Sequence, residues 1–187
     1  MKKTLLLLVA IIALAGCAPA QKNGQVDWKN IKEAASIQNS QKLYFMDFYT
    51  SWCGWCKKMD SETFTDPTVA KILSKYYIAV KFDAESNVEF TWAGQTFAGN
   101  PSYNGRKSPH QFAYHILGQK MGYPTSVFFS PSKELLSVVP GYCKPNELAQ
   151  MLWYFASGDC TKYSWDQYAK IFDSKIRPEM NKQLGIK

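Results

Sequence analysis

The sequence predicts an α/β fold: a mixed sheet of four or five strands with helices on both faces. Two observations support this prediction. Apolar runs of strand length alternate with segments of helical periodicity, in the order helix, strand, helix, strand, insert, helix, strand, strand, helix. The chain also has 187 residues, 46% of them hydrophobic, which is enough for one full core.

The first half of the chain begins with a helical pattern over residues 27–40, and Asp27 is expected to be its N-cap. Residues 43–49, LYFMDFY, form an apolar run that is typical of a central buried strand. Asp47 is the one interruption of that run. A second helix is expected from Gly54 onward.

A third helix is expected after Asp66-Pro67, because this pair supplies an N-cap and a first-turn proline. It leads into a predicted strand over residues 77–83. Residues 86–107 then form an insert that is rich in glycine, asparagine, threonine and aromatic residues. The Ala-Gly pair at residues 93–94 predicts a small hairpin within it.

The second half of the chain supplies three helical patterns and two strands joined by a tight turn. The last helical pattern lies in a C-terminal extension, residues 158–187. In chain order the predicted elements cover a helix over residues 108–117, strands over 125–129 and 135–139, and helices over 145–155 and 164–172.

The N-terminal segment lies outside this fold. Two lysines precede an apolar run of about ten residues, which fits the h-region of a secretory signal and is too short to span a bilayer. The run ends in LAGC, which resembles the bacterial lipobox, so Cys17 is expected to carry the lipid. Residues 1–16 are then the signal peptide and residues 17–26 a tether. The alternative is an ordinary signal peptide that is cut nearby.

Charge and compartment narrow the function classes. The formal net charge is +7, but the lysines and arginines are scattered, and no basic run interleaved with aromatics indicates nucleic-acid binding. In an exported protein the cysteines can form stable disulfides, because disulfides persist outside the cytosol.

The segment SWCGWCKKMD, residues 51–60, places two cysteines at the start of a predicted helix. Free backbone N–H groups and the helix dipole stabilise a thiolate on Cys53 at that position. Cys56 lies one turn further along, close enough to close a disulfide with Cys53. A four-cysteine zinc site has little support, because Cys143 and Cys160 do not form a second pair with this spacing.

Residues 28–157 resemble the thioredoxin superfamily. The CxxC follows a strand, a tryptophan precedes it, an aspartate lies six positions upstream, and a downstream Tyr-Pro-Thr enters a strand. The domain is assigned to residues 27–157. The motif is most similar to exported thioredoxin-like proteins and to the C-terminal domain of periplasmic transmembrane thiol reductases, through Trp52, Cys53, Cys56, Lys57, Met59, Thr63, Phe64, Asp66, Pro67, Val69 and Ala70.

The resemblance implies a role for each of five residues. Cys53 is the expected nucleophile, and Cys56 is the expected resolving thiol. Asp47 is the expected buried carboxylate, with a raised pKa, that exchanges a proton with Cys56 through water. Pro124 is expected to be cis and to face the disulfide, so that the backbone of Tyr123 can pair with substrate.

Two tryptophans complete the expected site. Trp52 is expected to shield the dithiol, and Trp55, which stands where thioredoxin has proline, is expected to contact substrate. The residues between the cysteines affect the reduction potential of the pair, and the sequence does not predict its value. Alternative interpretations are a purely structural Asp47, surface packing for both tryptophans, and a trans Pro124. Lys57 is expected to be a solvated helix residue.

The insert is longer than the usual connection before the cis-proline loop. We expect it on the helix side near Pro124, either as an aromatic flap that narrows substrate choice or as an inert surface elaboration. His110 and His115 are expected at the surface rather than as proton carriers.

The two remaining cysteines are expected to stay apart. A helix of about eleven residues lies between Cys143 and Cys160 and spans ~16 Å, whereas a disulfide needs Cα atoms within ~7 Å. Each is therefore expected to be a partly buried free thiol.

The leading hypothesis is a lipid-anchored thiol–disulfide oxidoreductase of the bacterial cell envelope that faces the periplasm. We expect a monomeric reductant of cysteine-containing exported proteins. No cofactor or metal is expected, since no flavin, nicotinamide or phosphate-loop motif is visible, so electrons come from a partner dithiol protein. The alternatives are a non-catalytic module that binds a metal or a client protein, and a structural envelope lipoprotein.

Overall fold

The computed structural model describes residues 25–100, 107–119 and 121–186. The predicted signal peptide, Cys17, most of the tether and residues 101–106 of the insert lie outside the described residues. The described elements are β1 (Trp28–Lys29), α1 (Ile31–Ser36), β2 (Leu43–Tyr49), α2 (Gly54–Glu62), α3 (Pro67–Tyr76), β3 (Tyr77–Asp83), β4 (Phe90–Trp92), β5 (Gln95–Phe97), α4 (Gln111–Leu117), β6 (Thr125–Phe129), β7 (Leu135–Pro140), α5 (Pro145–Ala156), a 3₁₀ turn (Asp159–Thr161), α6 (Trp165–Ile171), a π-helical turn (Phe172–Ile176) and α7 (Arg177–Leu184).

Five strands form one mixed sheet in the order β1-β3-β2-β6-β7. The central strand β2 is parallel to β3 and antiparallel to β6. β1 extends the sheet beyond β3, and β7 extends it beyond β6. The predicted mixed α/β sheet is confirmed, with five strands. The strands β4 and β5 form the predicted hairpin as a separate two-stranded sheet.

Two apolar cores cover the two faces of the sheet. Helices α2, α3 and α5 cover the face that contains Phe45 of β2 and Phe128 of β6, whose rings lie 5.4 Å apart. Helices α1 and α4 and the β4–β5 hairpin cover the other face. Successive side chains of a strand face opposite sides, so Asp47 lies on the same face as Phe45.

The first predicted helix is shorter than expected. Its N-cap is Asn30, not Asp27, because Trp28 and Lys29 are still extended and pair with β3. The Asn30 side chain accepts the backbone N–H of Glu33, and the Glu33 carboxylate accepts the backbone N–H of Asn30. These two hydrogen bonds form a capping box that starts α1.

The aromatic residues of the insert belong to the core. Phe90, Trp92 and Phe97 are buried and pack around Phe112 of α4, with ring centroids 5.0 to 5.9 Å away. Tyr123 of the proline loop packs against the same core. The insert therefore lies near the proline loop, as expected. The expectations of a flap or an inert elaboration are both wrong for these side chains, because they cover one face of the sheet.

The expectation for His110 is also wrong, since its side chain is buried. His110 is the N-cap of α4: its Nδ1 accepts the backbone N–H of Phe112 at 3.0 Å. Its Nε2 lies 2.9 Å from the carbonyl oxygen of Val88, which ties the helix to the insert. His115 is exposed, as predicted.

The C-terminal extension packs onto the core beneath α3 and α5. Its buried apolar side chains are Tyr168, Phe172, Met180 and Leu184. Within the residues that the structure describes, no helix combines the length and the hydropathy needed to cross a membrane.

Candidate active site

Cys53 and Cys56 form a disulfide at the N-terminus of α2, with their Cα atoms 5.3 Å apart. Cys53 is the N-cap of this helix, and its sulfur accepts the backbone N–H of Cys56 at 3.0 Å. Such a contact stabilises a thiolate when the pair is reduced. Only 4% of Cys53 and 2% of Cys56 are exposed, so the disulfide is almost completely buried.

Two exposed tryptophans border the disulfide, each directly before one of the cysteines. Trp52 is 66% exposed and Trp55 is 59% exposed. The indole N–H of Trp52 donates to the Glu85 carboxylate at 3.1 Å, and its ring meets the Tyr123 ring edge-on at 6.2 Å. Trp52 therefore links the dithiol turn to the proline loop.

Trp55 belongs to a second group of contacts, which we term the Trp55 cluster: Trp55, Lys58, Glu62 and Tyr142. The rings of Trp55 and Tyr142 lie 5.6 Å apart, and Lys58 Nζ lies 5.4 Å and 5.6 Å from their centroids. The Tyr142 hydroxyl donates to Glu62 at 2.6 Å. The sequence analysis did not assign Tyr142 to substrate contact. Lys58, Glu62 and Tyr142 of the cluster line a groove of about 720 Å³.

Asp47 lies on β2, six residues before Cys53, and is 1% exposed. Its Oδ2 lies 2.6 Å from Lys81 Nζ, which also bonds Asp60 at the surface end of α2. Burial raises the pKa of Asp47 to about 6, although Lys81 acts in the lowering direction. The expected raised pKa is confirmed. A carboxyl with this pKa exchanges protons readily near neutral pH.

Lys81 is a site residue that the sequence analysis missed. It lies directly beside Asp47 in the register of β2 and β3. Its Nζ also lies within 5.3 Å of the ring centroids of Trp28, Tyr49 and Phe64. A signal was present, because Asp47 and Lys81 each interrupt an apolar strand, and charges buried in neighbouring strands must be paired.

The Tyr123–Pro124 peptide bond is cis, as predicted. Pro124 is buried, and its carbonyl oxygen accepts the backbone N–H of Gly141 at 2.8 Å. This bond ties the proline loop to the end of β7. Burial raises the pKa of the half-buried Tyr123 to about 12, so its hydroxyl stays protonated at neutral pH.

The expectation that Cys143 and Cys160 remain unpaired is confirmed, since both are free thiols. Their exposure differs from the prediction: Cys143 is buried and Cys160 is exposed. Burial raises the pKa of Cys143 to about 11, which keeps it a thiol. Lys57 is exposed, as expected. Among the residues with described positions, no cluster of three or more histidine, cysteine or acidic side chains can hold a metal ion.

Two family models match the sequence. One, for the prokaryotic membrane lipoprotein lipid attachment site, matches residues 1–18. The other, for the thioredoxin-like domain, matches residues 31–156.

Two curated proteins are similar to parts of this chain. An uncharacterized Caenorhabditis elegans protein is 27% identical over 135 residues, which are 71% of this chain and 16% of that protein. The thiol:disulfide interchange protein DsbD of Photorhabdus laumondii is 40% identical over 43 residues, which are 23% of this chain and 7% of that protein. The chain thus spans less than a fifth of either relative.

Among solved structures, a thioredoxin-fold protein from Helicobacter pylori superposes with a TM-score of 0.56. It is 15% identical, and the superposition covers 78% of this chain and 88% of that one, which shows a shared fold. The thioredoxin-like match runs from the start of α1 to the end of α5 and so includes the whole site and most of the chain. The protein therefore belongs to the thioredoxin-like domain family.

Proposed function

We propose that this protein is a lipid-anchored thiol–disulfide oxidoreductase of the bacterial cell envelope, facing the periplasm, that reduces disulfides of exported proteins. The observation that carries the proposal is the position of Cys53, whose sulfur caps α2 and accepts a backbone N–H. The lipid-attachment match over residues 1–18 supports an anchor on Cys17.

The first step is an attack by the Cys53 thiolate on one sulfur of a client disulfide. A bond forms between Cys53 and that sulfur as the client S–S bond breaks, and the other client sulfur leaves as a thiolate. The helix N-terminus and the Cys56 N–H hold the attacking sulfur as an anion before the step.

The second step resolves the mixed disulfide. The Cys56 thiol gives its proton through water to Asp47, and its thiolate attacks the Cys53 sulfur. The second client sulfur leaves as a thiolate, and the client thiolates take protons from solvent. The client has gained two electrons, and the cysteine pair has lost two and formed the disulfide seen here. A partner dithiol protein then reduces that disulfide.

Client recognition involves the proline loop and the two tryptophans. The backbone of Tyr123, before cis-Pro124, pairs with an extended client segment in the manner of an added strand. Trp52 and Trp55 contact client side chains next to the reacting cysteine, since both rings are exposed. The similarity of 43 residues to DsbD, a thiol:disulfide interchange protein, supports this reaction class.

Insulin reduction by the full chain in detergent, with dithiothreitol as electron source, tests the proposal. The wild type is expected to accelerate reduction, whereas Cys53→Ser is expected to show only the rate of dithiothreitol alone. Cys160→Ser is the matched control, because it removes an exposed free thiol outside the site. Equal rates for the wild type and Cys53→Ser would instead support a client-binding module without turnover.

The direction of electron flow has its own measurement. A reduction potential of the Cys53–Cys56 couple near about −270 mV supports the proposed reductant, whereas a value near about −120 mV indicates an oxidant.

A further inference from the structure

Two buried oxygen atoms on neighbouring strands of the sheet are not used by any contact described above. They are Oδ1 of Asp47 and Oγ of Ser126, on the neighbouring strands β2 and β6. Asp47 is 1% exposed and Ser126 is 0% exposed. Neither atom has a hydrogen-bond partner among the residues that the structure describes.

The register places these two residues directly opposite each other. Asp47 and Ser126 are partners in the antiparallel β2–β6 ladder, so both side chains leave the same face with Cβ atoms about 4.5–5.5 Å apart. Lys81 lies beside Asp47 on the other neighbouring strand and engages Oδ2. Oδ1 is therefore the oxygen left for a contact from the Ser126 side.

One water molecule can satisfy both atoms. A buried polar atom without a partner is costly, and buried waters typically make about three hydrogen bonds to such atoms. The Ser126 hydroxyl both donates and accepts, so it can serve the water whether Asp47 is charged or protonated. A carboxylate that accepts one more hydrogen bond has a lower pKa, because the bond stabilises its charged form.

We propose that Asp47 Oδ1 and Ser126 Oγ hold one buried water between them, and that Ser126 is a positioning residue that sets the proton affinity of Asp47. The consequence for catalysis rests on the proposed function, in which Asp47 takes the proton of Cys56. Ser126 does not touch the reacting sulfur atoms in this proposal and acts through Asp47 alone.

Two charged side chains also act on the pKa of Asp47: Lys81 on β3 lowers it and Asp60 on α2 raises it. The Asp47 carboxylate in turn raises the pKa of Tyr49 on β2 and of Cys143 before α5. In the oxidised chain Cys56 does not titrate, and the pKa of Cys143 is raised to about 11. The Asp47 carboxyl can therefore be followed in the oxidised protein without a cysteine titrating in the same range.

The test is an NMR titration of the Asp47 carboxyl carbon in the oxidised full chain in detergent. Ser126→Ala is expected to raise the pKa of Asp47 by about one unit, because the water that donates to the carboxylate is no longer held by the hydroxyl. Ser126→Thr keeps a hydroxyl and is expected to restore the wild-type value. Ser137 is a half-buried serine on β7 of the same sheet, and Ser137→Ala is expected to leave the pKa of Asp47 unchanged. An unchanged pKa in Ser126→Ala, or a rise that Ser126→Thr shares, overturns the proposal.

A crystal structure of the wild type depends neither on the folding of a variant nor on activity, and a pH profile adds a catalytic readout. A high-resolution crystal structure of the wild-type chain is expected to show a water within hydrogen-bond distance of both oxygens, and its absence there overturns the proposal. In client reduction, the acid limb of the pH profile is expected to move upward with the Asp47 pKa in Ser126→Ala. If the wild type reduces no client, the proposed function fails while the titration still decides the role of Ser126.

Discussion

At Asp47, the ionised carboxylate that the proposed proton transfer needs lowers the stability of the fold. Burial raises its pKa in the folded chain to about 6, from 3.8 for the unperturbed group. The folded state therefore binds this proton more tightly than the unfolded state. The contribution of Asp47 to stability is fully present below about pH 4 and is lost as the pH rises through about 6, by roughly 3 kcal/mol at most.

We expect Asp47→Asn to remove this loss, because the amide stays neutral at all pH values. The variant should be more stable than the wild type at neutral pH by about 1–3 kcal/mol. It should also reduce clients more slowly, since no carboxylate takes the proton of Cys56. Urea unfolding and insulin reduction across pH measure the two effects.

Asp60→Asn is the control for Asp47→Asn, because Asp60 bonds the same lysine from an exposed position. It should leave the pH dependence of unfolding close to that of the wild type. A wild type and an Asp47→Asn variant with parallel stability curves between about pH 4 and pH 7 would contradict the assigned role of burial.

At the scale of elements, His110 joins α4 to the insert. Burial lowers its pKa below 6.5, and its contact with the Val88 carbonyl acts in the opposite direction. The contribution of His110 to stability is present above pH 6.5 and is lost as the pH falls through the lower folded pKa. Acidification therefore removes the stability contribution of His110, whereas it restores that of Asp47.

We expect His110→Ala to destabilise the chain by about 2–4 kcal/mol, through the lost helix cap and a cavity among aromatic rings. The stability lost on acidification should shrink at the same time, because the buried imidazole is gone. Urea unfolding near pH 7 and pH 5 checks both effects. His115→Ala, an exposed histidine on the same helix, should change stability by less than about 0.5 kcal/mol. Similar losses in the two variants would argue against the cap.

At the scale of the whole molecule, the fold brings the dithiol, the proline loop and the Trp55 cluster to one end of the sheet. The dithiol follows the C-terminal end of β2, the proline loop precedes β6, and Tyr142 follows β7. Since β6 is antiparallel to β2 and to β7, these three chain segments meet at the same edge. The two exposed tryptophans and the proline loop therefore lie at the same end of the sheet as the disulfide.

We expect Trp55→Ala to raise KM for client reduction about tenfold, because an exposed aromatic anchor next to the reacting bond is lost. The kcat should change little, since Cys53 keeps its place at the helix N-terminus. Steady-state kinetics with a protein client measure both constants. Tyr163→Ala, an exposed aromatic residue of the extension, is the matched control and should leave KM unchanged. A fall in kcat alone would show that Trp55 acts on the chemistry.

The surroundings of the reactive pair were only partly predictable, because local and distant contacts leave different traces in a sequence. The strands β2 and β3, the start of α2 and the cis-proline loop follow from apolar runs, capping residues and a short motif, which are all local. The Lys81–Asp47 pair joins residues 34 positions apart, and the Tyr142–Glu62 bond joins residues 80 positions apart. The charges that interrupt β2 and β3 indicate that Asp47 and Lys81 need partners, but no local pattern identifies which residues those partners are.

The chain by itself determined most of the helices and strands of the domain, the cysteine pair at the start of α2, and the buried aspartate on the strand before it. The tertiary structure alone decided that Lys81 and Ser126 flank that aspartate, that His110 is buried, and that the insert is core rather than flap. The reason is physical: periodicity and capping are set by neighbours in sequence, whereas burial, pairing and pKa values are set by whichever elements become neighbours in space.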